Sequence, residues 1–310
     1  MSPAVATQSA PGMLGFQPDD FHRYYPHRPF KITHPLCDRE ELQLDRLVEL
    51  AKRLPDDQVE YYGGSVPVNQ KGKTYPKNGL SIVETVRRIE ECGSWMVMKN
   101  VQVDPAYGEL LRTLLSDVYA QFGRDRSAYW MRDLHREKAF IFITSPNSVT
   151  PYHLDDEHNF LLQVRGSKQV SMWDPNDRTV MPETQIEHML ECWHQEGYDR
   201  HMPYQDEFQK RATVFQLNPG EGLHFPFGAP HWVKNGPAVS ISFSITWRSL
   251  MSDRNGVVYY VNKRLRRFGL TPTPPERAEW RDSLKYNLFQ GGRRLSGLLR
   301  GSANTRALNE

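Results

Sequence analysis

What the chain lacks narrows the field first. It has three cysteines in 310 residues, Cys37, Cys92 and Cys192, and no CxxC pair. That is too few and too scattered for a disulfide framework, and it offers no paired thiolates for zinc or dithiol redox chemistry; the three read as reduced thiols. There is no run of roughly 18 apolar residues, so no segment reads as a membrane-spanning helix. The opening MSPAVATQSAPGM has neither the basic start nor the apolar block of a secretory signal, and a cytoplasmic location is the expectation. The net charge is only +2, which removes the overall polycation signature of a nucleic-acid binder. Internal repeats and low-complexity tracts are absent.

What is present is a globular composition, 38% hydrophobic, long enough for one large domain with a proper core. Charge is uneven along it. Residues 251–310 hold twelve Lys and Arg against five Asp and Glu, so a basic tail follows a mildly acidic body. The simplest reading of that tail is a solvated helical face.

Four regions follow from the order of signals. Residues 1–20, small, polar and without period, read as a mobile arm. Residues 21–137 read as an α/β wrapping. Within it RPFKI fits an edge strand, and CDREELQLDRLVELAKRLP fits one helix with Asp38 as N-cap, Glu41 at capping-box distance and Pro55 as terminator. Ser81 fits the cap of a helix stopped by Gly93, and Asp104-Pro105 starts another. Residues 138–249 change to short strands broken by Gly, Pro and Asn about every ten residues, the pattern of an antiparallel barrel or jelly roll. A polar insertion near 182–212 interrupts them and is expected over the barrel mouth. Residues 250–310 return to helix, with Val258, Val261, Leu265 and Phe268 at helical spacing.

The chemistry concentrates in TPYHLDDEHNFLLQVRGSKQVSMWDP, residues 150–175. On a strand, His153 and Asp155 point to one face, so an imidazole and a carboxylate can grip one metal ion together. A second histidine from a distant strand completes a two-histidine, one-carboxylate facial triad, the donor set of non-haem Fe(II) with open positions for chemistry. His231 is the candidate and His224, seven residues before it, competes. His158, three residues past Asp155, falls on the opposite face by alternation and reads as a surface or supporting residue. His188, His194 and His201 are scattered through the insertion without a spacing that demands metal. An isolated HxD arises often by chance, so the context decides.

That context resembles the iron-binding core of the jumonji C oxygenases, most nearly their asparaginyl-hydroxylase branch. The matching residues are Thr150-Pro151-x-His153-x-Asp155, Asn159-Phe160, Gln163-x-x-Gly166-x-Lys168 and Asp174-Pro175, with PGEGLHFPFGAPHW downstream; together they span residues 140–247. The resemblance implies a fold that is mainly β with α additions, a double-stranded β-helix of the cupin type carrying an α/β N-terminal wrapping and C-terminal helices. It implies Fe(II) held by His153, Asp155 and His231, with His231 at the family's histidine position. It further implies 2-oxoglutarate as cosubstrate, bound through its far carboxylate by Lys168 with help from the Thr150 hydroxyl, and O2 as oxidant. Asn159 falls at a position near the iron. On the last strand, where family members often carry Asn and Trp, this chain has Ser242 and Ser244, and Ser242 is left to supply a hydrogen bond to the cosubstrate.

The activity so implied couples decarboxylation of 2-oxoglutarate to C–H hydroxylation of a peptide, a protein side chain or a small molecule, with demethylation following when an N-methyl carbon is the target. A homodimer through the C-terminal helices is the expected assembly. Two other readings remain: a cupin enzyme that needs no keto acid, and a non-catalytic metal-binding regulatory or nucleic-acid-associated protein.

Overall fold

The computed structural model describes residues 12–63, 66–69, 78–123, 133–192 and 202–306, without the side chains of 191–192 and 294–306. The expectations placed on His194, His201 and the Cys192 thiol lie outside the described residues or side chains. In chain order the elements are β1 (Gly15–Phe16), α1 (Asp20–Tyr24), β2 (Lys31–Thr33), α2 (Leu44–Arg53), β3 (Val59–Gly63), α3 (Ile82–Arg87), β4 (Ser94–Met98) and α4 (Pro105–Gln121). Then come β5 (Leu134–Thr144), β6 (Val149–His153), β7 (His158–Arg165), β8 (Lys168–Met172), α5 (Glu183–Cys192), β9 (Thr213–Leu217), β10 (Glu221–Phe225), β11 (His231–Asn235) and β12 (Ser240–Ser249), followed by α6 (Leu250–Arg267) and α7 (Glu279–Arg306).

Every strand pairing is antiparallel, and the strands form two sheets: β1-β2-β10-β7-β12-β5-β4-β3 and β6-β11-β8-β9. From β5 to β12 the chain crosses from one sheet to the other at every step except β8 to β9, which pair within the small sheet, the winding of a double-stranded β-helix. The fold class read from the sequence is therefore the one observed. Because side chains alternate along a strand, the large sheet has two buried faces. Phe160, Leu162, Ile241, Phe243, Ile245 and Trp247 face outward into the main core, which the N-terminal helices cover. Leu161, Val170, Met172, Leu217, Leu223 and Val233 face inward and fill the space between the sheets.

Several local expectations hold because their chemistry is self-contained. Ser81 and Glu84 form a reciprocal capping box on α3, and the Asp104 carboxylate accepts from Ala106 N at the start of α4. Others yield to tertiary packing. The helix expected from Asp38 begins only at Leu44, with Gln43 as N-cap and no side-chain cap bond. Arg39 and Gln43 adopt extended backbone angles that split the segment into two 3-10 turns. The breaks turn Leu36 and Leu42 fully into the core, a burial worth about 1.5–3 kcal/mol per side chain, which outweighs the helical hydrogen bonds given up.

RPFKI supplies β2, but β2 is not the edge, since it pairs with both β1 and β10. The edge is β1, drawn from residues expected in the mobile arm. Leu14 beside it is buried, and its N–H donates to Asp117 Oδ2 at 2.9 Å. The described end of the insertion, residues 206–212, also lies elsewhere than expected. Phe208 O accepts from Trp173 Nε1 at 2.7 Å, and Gln209 bonds Trp232 Nε1 and Ser171 Oγ at 3.1 Å each. These partners alternate with the inward residues of β8 and β11, so the part of the insertion around Phe208 and Gln209 covers the outer face of the small sheet, and α5 is tied to α6 by Arg266 on the buried Glu187 at 2.9 Å.

Candidate metal centre

Residues His153 and His231 are direct partners across β6 and β11, so the register alone brings the two imidazoles together. Their ring centroids lie 4.2 Å apart. Asp155, in the turn after β6, places one carboxylate oxygen 3.9 Å from His153 Nε2 and the other 3.9 Å from His231 Nε2. One donor atom from each of the three lies within 4.8 Å of the others, and among the described residues this is the one such group of His, Cys, Asp and Glu.

The imidazoles are fixed in the form a metal needs. His153 Nδ1 lies 2.7 Å from Pro151 O and His231 Nδ1 lies 3.0 Å from Ala229 O. A carbonyl only accepts, so each Nδ1 carries the proton and each Nε2 presents its lone pair to the cluster. Burial pushes the His231 pKa down to about 4, against the pull of the Ala229 carbonyl, which keeps that ring neutral at ordinary pH. The edge of Phe225 packs on it with 4.7 Å between centroids and holds its plane.

Lys168 stands further along the same interior. Met172 faces His231, and Lys168 faces Asn235 four residues away, a backbone separation of roughly 13 Å. The lysine is 4% exposed and has no hydrogen bond or carboxylate partner among the described residues. Its ammonium meets the Phe142 ring, 5.7 Å from the centroid. Burial alone drags its pKa down to about 7. A buried cation without a counter-charge is costly, and it offers a strong site to an anion that enters the barrel.

Thr150 reaches the interior by an irregularity in β6. It is three residues from His153, an odd number, so simple alternation would put the two on opposite faces. On β6, however, Pro151 and Tyr152 together oppose the single residue Trp232 of β11. This bulge returns Thr150 to the side of its partner Val233, whose side chain is in the inner cluster. Thr150 and Lys168 thus flank β11 near the same end.

The remaining expectations divide. Asn159 does face inward, paired with Phe225, and its Oδ1 accepts from Ser244 Oγ at 2.6 Å. Ser242 faces inward too, but its hydroxyl proton is committed to Gln163 Oε1 at 2.7 Å, so toward a cosubstrate it acts only as an acceptor. His224 lies outside the barrel, fully buried among Tyr25 and Phe30 with Nδ1 3.0 Å from Arg28 O, and is no part of the metal cluster. His158 is on that outer side as alternation implies, yet it is 1% exposed and not a surface residue. His188 Nδ1 meets Lys263 Nζ at 2.9 Å, far from metal chemistry.

The sequence reading missed Asn235 and Phe142. Asn235 lies two residues past Val233 and four past His231 on β11, a spacing that already marks it as inward. Phe142 carried no chemical signal, and only the sheet places it under the lysine.

Comparison with known proteins agrees with this architecture. The sequence model of the cupin-like domain matches residues 18–253, which covers the wrapping, the barrel and the first turn of α6. Among solved structures, the chain is similar to the X-ray structure of E. coli YcfD, at 16% identity and a TM-score of 0.49, over 84% of this chain and 60% of that one. YcfD described as a ribosomal oxygenase, in complex with cobalt and 2-oxoglutarate, is matched at 14% identity and a TM-score of 0.46, over 86% of this chain and 61% of that one. This chain thus spans about 60% of the length of those structures. Similarity at that level carries no ligand or activity over to this chain. Comparison with curated proteins finds no match.

Proposed function

The chain belongs to the family of cupin-like domains, and from that premise we propose that it is an Fe(II)- and 2-oxoglutarate-dependent dioxygenase that hydroxylates a C–H bond of a second substrate. One observation carries the reading: a His-Asp-His cluster and a buried, unpartnered ammonium occupy one barrel interior, at opposite ends. Two neutral imidazoles and one carboxylate fit Fe(II) and leave three positions open. A cofactor of this kind supplies reductive activation of O2, and the protein supplies placement.

The residues divide that placement. His153 and His231 present Nε2, each held by a backbone carbonyl, and Asp155 supplies the charge. Lys168 takes the far carboxylate of 2-oxoglutarate, and Thr150 stands beside that end. Leu161, Val170, Leu217 and Leu223 line the space between and exclude water. The overall reaction consumes the substrate, O2 and 2-oxoglutarate and yields the hydroxylated product, succinate and CO2. Hydroxylation is preferred to demethylation because the motif TPYHLD with Gln163-x-x-Gly166-x-Lys168 resembles the hydroxylase branch of the jumonji C oxygenases.

Calorimetric titration of the metal-free protein with Mn(II), then with 2-oxoglutarate, tests the reading. Binding of the keto acid only in the presence of metal, abolished in Lys168→Met, is the expected result. Metal binding without keto-acid binding would instead establish a cupin of another chemistry. Oxygen-dependent succinate formation is the second readout, and its absence across peptide and small-molecule candidates would leave a binding protein. The homodimer expected from the sequence would cover Trp280, Leu284 and Leu288, which lie exposed at i, i+4 and i+8 of α7; light scattering of the wild type against Leu284→Asp measures it.

A further inference from the structure

Outside the barrel, behind the loop that carries Asp155, a cavity of about 60 Å³ lies between the start of β7, the 226–228 turn, α6 and the linker at Pro275-Glu276. That is room for a few waters or for one small functional group. Its walls mix apolar side chains, Phe227 and Met251 among them, with polar ones. The Gly228 N–H on one wall donates to Asp155 O at 2.9 Å, so the cavity adjoins the metal loop without opening on the metal ligands.

The polar groups on its wall are incompletely satisfied. His158 is 1% exposed, and neither ring nitrogen has a hydrogen-bond partner among the described residues. Burial holds the ring neutral, so it has one N–H to give and one lone pair to offer. Asn255, also buried, donates its Nδ2 to Glu276, while its Oδ1 has no partner. Glu276 places its other oxygen 3.5 Å from His27 Nδ1, and its side chain is 34% exposed, which opens the cavity to solvent on the linker side. Buried donors and acceptors without partners are rare in native proteins and call for an occupant.

We propose that this cavity binds a primary amide group. The amide oxygen accepts from the His158 N–H, and the amide nitrogen gives its two protons to Asn255 Oδ1 and the Glu276 carboxylate. The complement discriminates. An ammonium only donates, so it can meet the lone pair of His158 but leaves the N–H of that ring without an acceptor. A carboxylate faces the Glu276 charge and the Asn255 oxygen, both repulsive. The amide belongs either to a peptide side chain or to a free small molecule. This inference does not rest on the oxygenase reading.

The test is titration of the full chain, labelled with ¹⁵N-histidine, with acetamide, following the His158 ring nitrogens by NMR. A saturable shift is expected, with no shift from N,N-dimethylacetamide, which has the shape but no N–H. Asn255→Leu and Glu276→Gln should each weaken acetamide by about tenfold, the worth of roughly one hydrogen bond. Glu276→Gln changes a partly exposed linker residue and keeps the test valid if the buried Asn255→Leu fails to fold. A non-saturating response, an unchanged affinity in Glu276→Gln, or tighter binding of ethylammonium than of acetamide overturns the proposal. Competition by free glutamine alone assigns a small molecule, competition by a capped glutamine peptide assigns a side chain, and competition by neither also overturns it.

Discussion

On β12, Ser240, Ser242, Ser244 and Thr246 face into the barrel, while Ile241, Phe243, Ile245 and Trp247 face the N-terminal helices; all eight are buried. β7 repeats the contrast, with Asn159 and Gln163 inward and Phe160 and Leu162 outward. One pair of strands therefore presents a mostly polar wall, interrupted by Leu161, to the barrel interior and an apolar wall to a core. The outward face closes on packing. The inward face closes on hydrogen bonds between neighbouring strands, Ser242 to Gln163 and Ser244 to Asn159, at 2.7 and 2.6 Å. Polarity toward the interior is tolerable where these bonds satisfy it internally; Thr246 Oγ1 is left without a partner among the described residues.

The sharpest break between the two faces should come from Asp155→Ala and His231→Ala. Each removes a donor from the cluster, so Mn(II) affinity should fall by more than about a hundredfold, beyond what loss of a supporting partner costs. The unfolding free energy should move by no more than about 1 kcal/mol in Asp155→Ala, whose side chain is partly exposed, and by more in His231→Ala, whose ring is buried against Phe225. Calorimetry and urea unfolding measure the two. A large loss of stability with metal binding intact would erase the division.

Phe243→Ala inverts that pattern. The ring is fully buried on the outward face, and its removal should cost roughly 3–5 kcal/mol. The folded fraction should bind Mn(II) as the wild type does, because the ring does not reach the interior. Urea unfolding followed by metal titration below the transition checks both halves.

Lys168 is where the faces meet, a charge held in an interior that gives it no partner. Its folded-state pKa is about 7, lowered from 10.5. Between those values the unfolded chain holds a proton that the metal-free native state has released, so stability rises with pH across this window, and below about 7 the penalty of the buried charge is present in full. Lys168→Met should therefore stabilise the metal-free protein by roughly 1–4 kcal/mol at pH 6 and progressively less toward pH 10. The same variant should lose 2-oxoglutarate binding. In the wild type, that binding should weaken as pH rises above about 7, because capture of the carboxylate must then recover a proton. Thermal unfolding from pH 6 to 10 and keto-acid titrations over the same range give the two opposed slopes; parallel slopes would remove the lysine from the anion site.

Much of this was legible in the residues. The ligand pair was visible from the two-residue spacing of His153 and Asp155, although β6 ends at His153 and Asp155 stands in the turn beyond it and not on the strand expected; the strand-rich segment announced a barrel through its turn residues. What escaped depended on neighbours distant in sequence. The helix expected at Asp38 breaks at Arg39 and Gln43 because Leu36 and Leu42 are drawn into the core. Thr150 shares the interior only through a bulge at Pro151-Tyr152, whose one local mark is the proline within the strand. His158 was assigned the correct face, but its burial follows from Tyr25, Phe227 and Trp247 closing over it from three other parts of the chain.

The serines of β12 give the smallest and most discriminating effect. At Ser242 the hydroxyl gives its proton to Gln163 Oε1, while Gln163 Nε2 donates to Arg165 O at 2.6 Å and to Ser240 Oγ at 3.0 Å. Ser242→Ala removes one bond from a network that otherwise stays closed, so stability should fall by about 1 kcal/mol. Since the proton of Ser242 is already given away, its removal takes only a weak acceptor from the chamber, and 2-oxoglutarate affinity should change by less than about threefold. Gln163→Leu discards the hub, leaves Ser242 and Ser240 to find new partners, and should cost more than the serine substitution in both measurements. If Ser242→Ala instead weakens the keto acid as strongly as Lys168→Met does, the serine binds the cosubstrate directly, and the inward face of β12 is then a binding surface and not only the polar wall of one.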